Sequence, residues 1–142
     1  MPQQRRRAVA VAATVALTVL MWTDSPTHWW SSVLEFLRGT GSTATSSVLD
    51  ARPSGDLDLH LAMWAFVSCV WWWALRSTRP VVQALVILVA WASIVETLQP
   101  VFTAIRERQM SDYLGNALGI GIVCVVVLIR RRYADGPMSP AT

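Results

Sequence analysis

Two carboxylates, an imidazole, a guanidinium and two amides stand where an apolar chain has little use for them. Glu96 and Gln99 close one hydrophobic stretch, and Asp112 and Asn116 open the next. Arg106 lies in the connection between them, and His60 opens an earlier stretch. A charged side chain at the centre of a membrane helix costs about 2.5–3.5 kcal/mol on insertion scales, so such residues need a partner or a task. The types suit several tasks. Arg106 with Gln99 and Asn116 can hold a phosphate or carboxylate. His60 can serve as base or nucleophile, with Glu96 carrying a proton and Arg106 stabilising an anion. His60, Glu96 and Asp112 are metal-ligand types, but their spacing matches no metal signature, so neither metal nor cofactor is expected. A fourth reading is an internally neutralised network, with Arg106 paired to Asp112 or Glu96, that only holds helices together.

The spacing places these residues on shared helix faces. Asp112, Asn116 and Gly119 are four and three apart and line one face. Gly115 and Gly119 form a small-xxx-small pair that permits close backbone approach, so both are expected to pack against a neighbouring helix. Ser93, Glu96 and Gln99 make a second stripe, and Asp56, His60 and Trp64 a third.

The elements that must carry these stripes are apolar helices. The chain has 142 residues, 54% of them hydrophobic, with a mean hydropathy of +0.42. Leu57–Leu75, Pro80–Phe102 and Tyr113–Ile129 are nearly free of charge, and each reaches the roughly 17 residues a membrane helix requires. Ala8–Trp22 is shorter but follows Arg5, Arg6 and Arg7. No small-residue cleavage site follows it, so a retained first helix is expected over residues 8–23, with Trp22 anchoring its far end. The organisation read from this is a basic N-terminus (1–7), that first helix, a loop (24–56), a three-helix core (57–130) and a tail (131–142). Within the loop, Trp29, Trp30, Val33, Leu34 and Leu37 have helical spacing over Pro26–Leu37, which suits a helix lying in the membrane interface or packed on the bundle. The Gly/Ser/Thr-rich stretch from Arg38 onward reads as a flexible linker. Pro80 and Pro100 are expected to start and end the third span.

All twelve basic residues are arginine. Eight cluster at the N-terminus, at positions 76 and 79, and at 130–132, whereas Arg38, Arg52, Arg106 and Arg108 fall on the other side. The positive-inside rule then gives an all-α membrane protein of four transmembrane helices with both termini cytoplasmic. The same rule accounts for the basic runs, so no nucleic-acid partner is expected. Trp71, Trp72 and Trp73 read as an interfacial belt. Cys69 and Cys124 lie in no metal or redox motif and read as small buried residues. Alternating helix direction brings His60, Glu96, Gln99, Arg106, Asp112 and Asn116 to the outer side.

The order Asp56-x-x-x-His60, Glu96-x-x-Gln99, Arg106, Asp112-x-x-x-Asn116-x-x-Gly119 resembles the VanZ-like family of bacterial integral membrane proteins over roughly Asp56–Val125. Leu57 stands where that family commonly has Lys after the first Asp, and the 24–56 loop is longer than its compact layout. The resemblance implies a multi-pass protein of the bacterial plasma membrane, associated with low-level glycopeptide tolerance, and carries no settled cofactor or mechanism. The expectation is therefore a non-enzymatic envelope protein whose outward cluster (Asp56, His60, Glu96, Gln99, Arg106, Asp112, Asn116) binds a cell-wall lipid or glycopeptide among membrane lipids. The alternatives are an intramembrane enzyme on a lipid-linked phosphate or ester, with His60 and Glu96 as its catalytic candidates, and a small transporter or proton-coupled subunit, which would need to oligomerise.

Overall fold

The computed structural model describes residues 1–50, 56–75, 80–104 and 109–134, and among these the chain is helical with no strand. The helices are α1 (Gln3–Met21), α2 (Ser25–Thr40), α3 (Thr43–Asp50), α4 (Leu57–Leu75), α5 (Val81–Phe102) and α6 (Met110–Ala134). Helix α4 touches α1, α5 and α6, and packs most closely on α6. The core between them is built from Leu17, Met21, Trp64, Val67, Leu85, Leu88, Val95, Ile120 and Val123.

Two helices, Val81–Phe102 and Met110–Tyr133, are long and apolar enough to cross a membrane. The other two helices of the bundle fall short of that measure for readable reasons. Helix α1 begins with three arginines, and α4 is diluted by Asp58, His60 and four tryptophans.

Helix α1 starts at Gln3, so the arginines expected in a preceding tail belong to its first turns. Its two threonines tie it to the bundle. Thr14 and Thr18 donate their hydroxyls to the carbonyls four residues back, both at 2.9 Å. Their oxygens then accept the indole N–H groups of Trp71 and Trp91, both at 3.0 Å. Trp71 is thus a cross-helix hydrogen-bond donor. Trp22 also turns inward: its Nε1 donates to the Val95 carbonyl at 3.2 Å, and its ring stacks on Phe102 at 4.5 Å.

The 24–56 segment departs most from the sequence reading. The amphipathic stretch is helical, as α2, with Pro26 in its first turn where no N–H is missed. The expected flexible linker also contains a helix, α3. Gly41 ends α2 in an extended conformation. Ser42 then opens the next turn, its Oγ accepting from the Thr45 N–H at 3.4 Å, and Arg38 pairs with Asp50 at 2.8 Å across the two helices. Ser and Thr are poor in helix interiors but good at helix starts, so composition understated a short helix that a cap and an ion pair define. Pro100 does not end α5, which continues to Phe102. A proline in the last turn sacrifices one backbone bond, and Thr103 closes the end by bonding the Gln99 carbonyl through both its N–H (3.0 Å) and its hydroxyl (2.9 Å). Pro80 is the N-cap of α5 rather than its first residue. Cys69 is exposed and Cys124 half-buried, both as free thiols, so neither is the fully buried residue expected.

Candidate functional site

The close approach of α6 to α4 sets the geometry of the polar cluster. A Cβ on Gly115 would lie 2.5 Å from the Leu57 carbonyl oxygen and 3.0 Å from the His60 Cβ. A Cβ on Gly119 would strike the Leu61 carbonyl oxygen and come within 3.0 Å of the Ala65 nitrogen. Only glycine allows two backbones this near. Asn116 directly follows Gly115, and Asp112 lies one turn earlier, so the glycine contact delivers both side chains to His60.

His60 is the hub. Its Nδ1 is 2.8 Å from Asn116 Oδ1 and 3.6 Å from Glu96 Oε2, and its Nε2 is 3.7 Å from Asp112 Oδ2. An amide oxygen can only accept, so Nδ1 carries the proton in this arrangement. The two longer distances exceed a hydrogen bond and are charge contacts when the ring is protonated. Asp112 is held in turn by Ser111, whose hydroxyl donates to Oδ1 at 3.1 Å. His60, Glu96, Asp112 and Asn116 are all buried, none more than 3% exposed. Three helices therefore turn ionisable side chains inward while their outer faces carry Phe66, Val86, Ile87, Ile94, Ile122 and Val125 to the surface.

Among the other expected members, Gln99 is fully buried but turns away. Its Nε2 donates to the Met21 carbonyl at 2.8 Å, fastening the end of α5 to the end of α1, and its Oε1 has no hydrogen-bond partner among the described residues. Ser93 returns its hydroxyl to the Val89 carbonyl and takes no part. Asp56 is half-buried one turn before His60, and its carbonyl accepts the His60 N–H at 2.9 Å. Arg106 lies outside the described residues. Trp64 continues the His60 stripe into the core, followed one turn later by Ser68; the indole N–H and the Ser68 hydroxyl both lack a hydrogen-bond partner among the described residues.

The arrangement can do two things chemically. An imidazole between two carboxylates, with one ring nitrogen oriented by an amide, can take up and pass a proton. His60, Glu96 and Asp112 also bring one ligand-type atom each to within 4.8 Å of one another. These are acceptable donors for a divalent cation, with Asn116 fixing the ring as an outer-shell partner. The trio matches no metal signature in local spacing, because its members come from three helices. No protein-family model, curated protein or solved structure matches the chain.

Proposed function

We propose that this chain is a multi-pass membrane protein of the VanZ-like kind whose His60–Glu96–Asp112–Asn116 cluster binds the polar head group of a cell-envelope lipid or surface ligand. The observation that carries the reading is the inversion of polarity: ionisable side chains inside, aliphatic ones outside. Only 33% and 39% of the apolar windows of α5 and α6 are buried, whereas a core helix of a water-soluble protein would be mostly covered. In this reading α1 and α4 cross the membrane beside them, with both termini on the cytoplasmic side of a bacterial plasma membrane. Asp112 and Arg130 are 18 residues apart on α6, about 27 Å at 1.5 Å per residue, which matches the thickness of a hydrocarbon layer. Helix α2, with Trp29, Phe36 and Leu37 exposed, lies in the outer interface.

The cluster sits close to the helix ends. Asp112 is the third residue of α6 and His60 the fourth of α4, so in this reading the cluster lies within about two turns of the outer surface. Arg106, between α5 and α6, supplies the anion contact. The test is ligand retention by native mass spectrometry, comparing the wild type with an Arg106→Ala variant that still inserts. Retention lost with Arg106 supports the reading, and unchanged retention defeats it. A link to glycopeptide tolerance is tested by expressing the same pair in a sensitive host.

A second reading, an intramembrane enzyme on a lipid-linked phosphate, is favoured by one observation, the placement of His60 between two carboxylates. Its test is turnover of lipid-phosphate substrates with and without added divalent metal. Silence in both conditions removes it.

A further inference from the structure

At the opposite end of the bundle, α4, α5 and α6 enclose a groove of about 410 Å³, within the range of small-ligand sites. Its described lining includes Trp72 and Trp73 from α4, Val81 from α5, and Val127, Arg130 and Arg131 from α6. It contains two cations and no acid among the described lining residues. The Arg130 guanidinium lies over the Trp72 ring at 5.5 Å, and the Arg6 guanidinium, from the first turns of α1, lies over Trp73 at 5.6 Å. The Arg6 Nε is buried with no acceptor among the described residues. A buried guanidinium donor without an acceptor is an unusual arrangement, and it stands beside a groove whose other charges are also positive.

We infer that this groove holds the phosphate of an anionic glycerophospholipid. Arg130 and Arg131 face the phosphate, and Arg6 adds a third cation at the rim. Stacking on indole rings holds the two paired guanidinium planes in place, so less side-chain freedom is lost when an anion arrives. The tryptophans occupy the depth at which an amphipathic ring meets head groups. The charge selects for an anionic lipid over a zwitterionic one, because each arginine near an anionic head group favours binding by about fivefold.

The inference rests on the membrane reading and is independent of the His60 cluster. Purified full-length protein is transferred to micelles carrying equal phosphatidylglycerol and phosphatidylcholine, and retained lipid is counted by native mass spectrometry. The expected result is retention of phosphatidylglycerol in severalfold excess. Arg130→Gln with Arg131→Gln should abolish that excess, whereas Arg132→Gln, outside the groove, should leave it. Thermal unfolding in phosphatidylcholine micelles establishes that each variant is folded, and Arg130→Lys, which keeps charge without the planar stack, should fall between. Equal retention of the two lipids by the wild type, or an equal loss with Arg132→Gln, overturns the inference. Competition by inorganic phosphate or glycerol phosphate as effective as that by the lipid would assign the groove to a soluble phosphate and overturn the lipid. A chain that stays soluble and monodisperse without detergent defeats the membrane reading itself, a result distinguishable from a detergent-requiring protein with no lipid preference.

Discussion

The two ends of the bundle treat charge in opposite ways. At one end, His60, Glu96, Asp112 and Asn116 are buried and meet one another across α4, α5 and α6. At the other, Arg6 and Arg130 lean on tryptophan rings, and Arg130 keeps its head at the surface. The first end is closed because two helices are pressed together through glycine. The second is open because α4 and α6 end there in bulky Trp and Arg side chains. A buried set depends on each of its members, whereas an exposed stack is screened and can lose one with small effect. The largest predicted effect follows directly. Replacing His60 by Ala should cost about 3–5 kcal/mol, because it leaves two carboxylates facing each other without the group between them. Unfolding in graded denaturing detergent measures it. A loss below 1 kcal/mol would mean the cluster is already hydrated, and the contrast between the ends would disappear.

The glycines sharpen the same contrast within a single helix. Gly119→Ala should destabilise by at least about 1–3 kcal/mol, because the new methyl meets main-chain atoms of Leu61 and Ala65 that cannot rotate away. Gly121, two residues on, has nothing within 4 Å of its would-be Cβ. There the same substitution should be neutral or stabilise by up to about 1 kcal/mol through helix propensity. Equal effects at the two positions would show that α4 and α6 are not in glycine-mediated contact.

How much of this was legible in the sequence depends on the range of each interaction. The bounds of α4 could be read directly, because a run whose one acid is Asp58 lies between Asp56 and Arg76 and marks both ends. The meeting of His60 with Glu96, Asp112 and Asn116 followed from alternating helix direction and the Gly115/Gly119 spacing. The turn of Gln99 toward Met21, and the indole hydrogen bonds of Trp22, Trp71 and Trp91, could not be read. Each depends on a carbonyl or hydroxyl of a helix distant in sequence, and no local pattern encodes it. Helix α3 was hidden for another reason: a cap and the Arg38–Asp50 pair outweigh the composition of a stretch rich in Ser and Thr.

Ser68 probes the interior between the two ends. Its hydroxyl is completely buried and has no hydrogen-bond partner among the described residues, so the desolvation cost is borne without return. Ser68→Ala should therefore stabilise by about 1 kcal/mol, against the usual direction of core substitutions. A loss of stability would reveal that the hydroxyl is engaged, and would extend the polar end toward the middle of α4.

The smallest effect belongs to the open end. Arg130→Gln removes a guanidinium stacked on Trp72 at 5.5 Å, worth about 0.5–1 kcal/mol at an exposed site. In neutral detergent its unfolding midpoint should hardly move, although the same variant is expected to weaken selection of anionic lipid. That separation is the strongest form of the comparison, because a residue that matters for binding and barely for stability is the reverse of His60. If Arg130→Gln instead unfolds the protein as His60→Ala does, the stacked arginines are structural members of the bundle, and both ends are built on one principle.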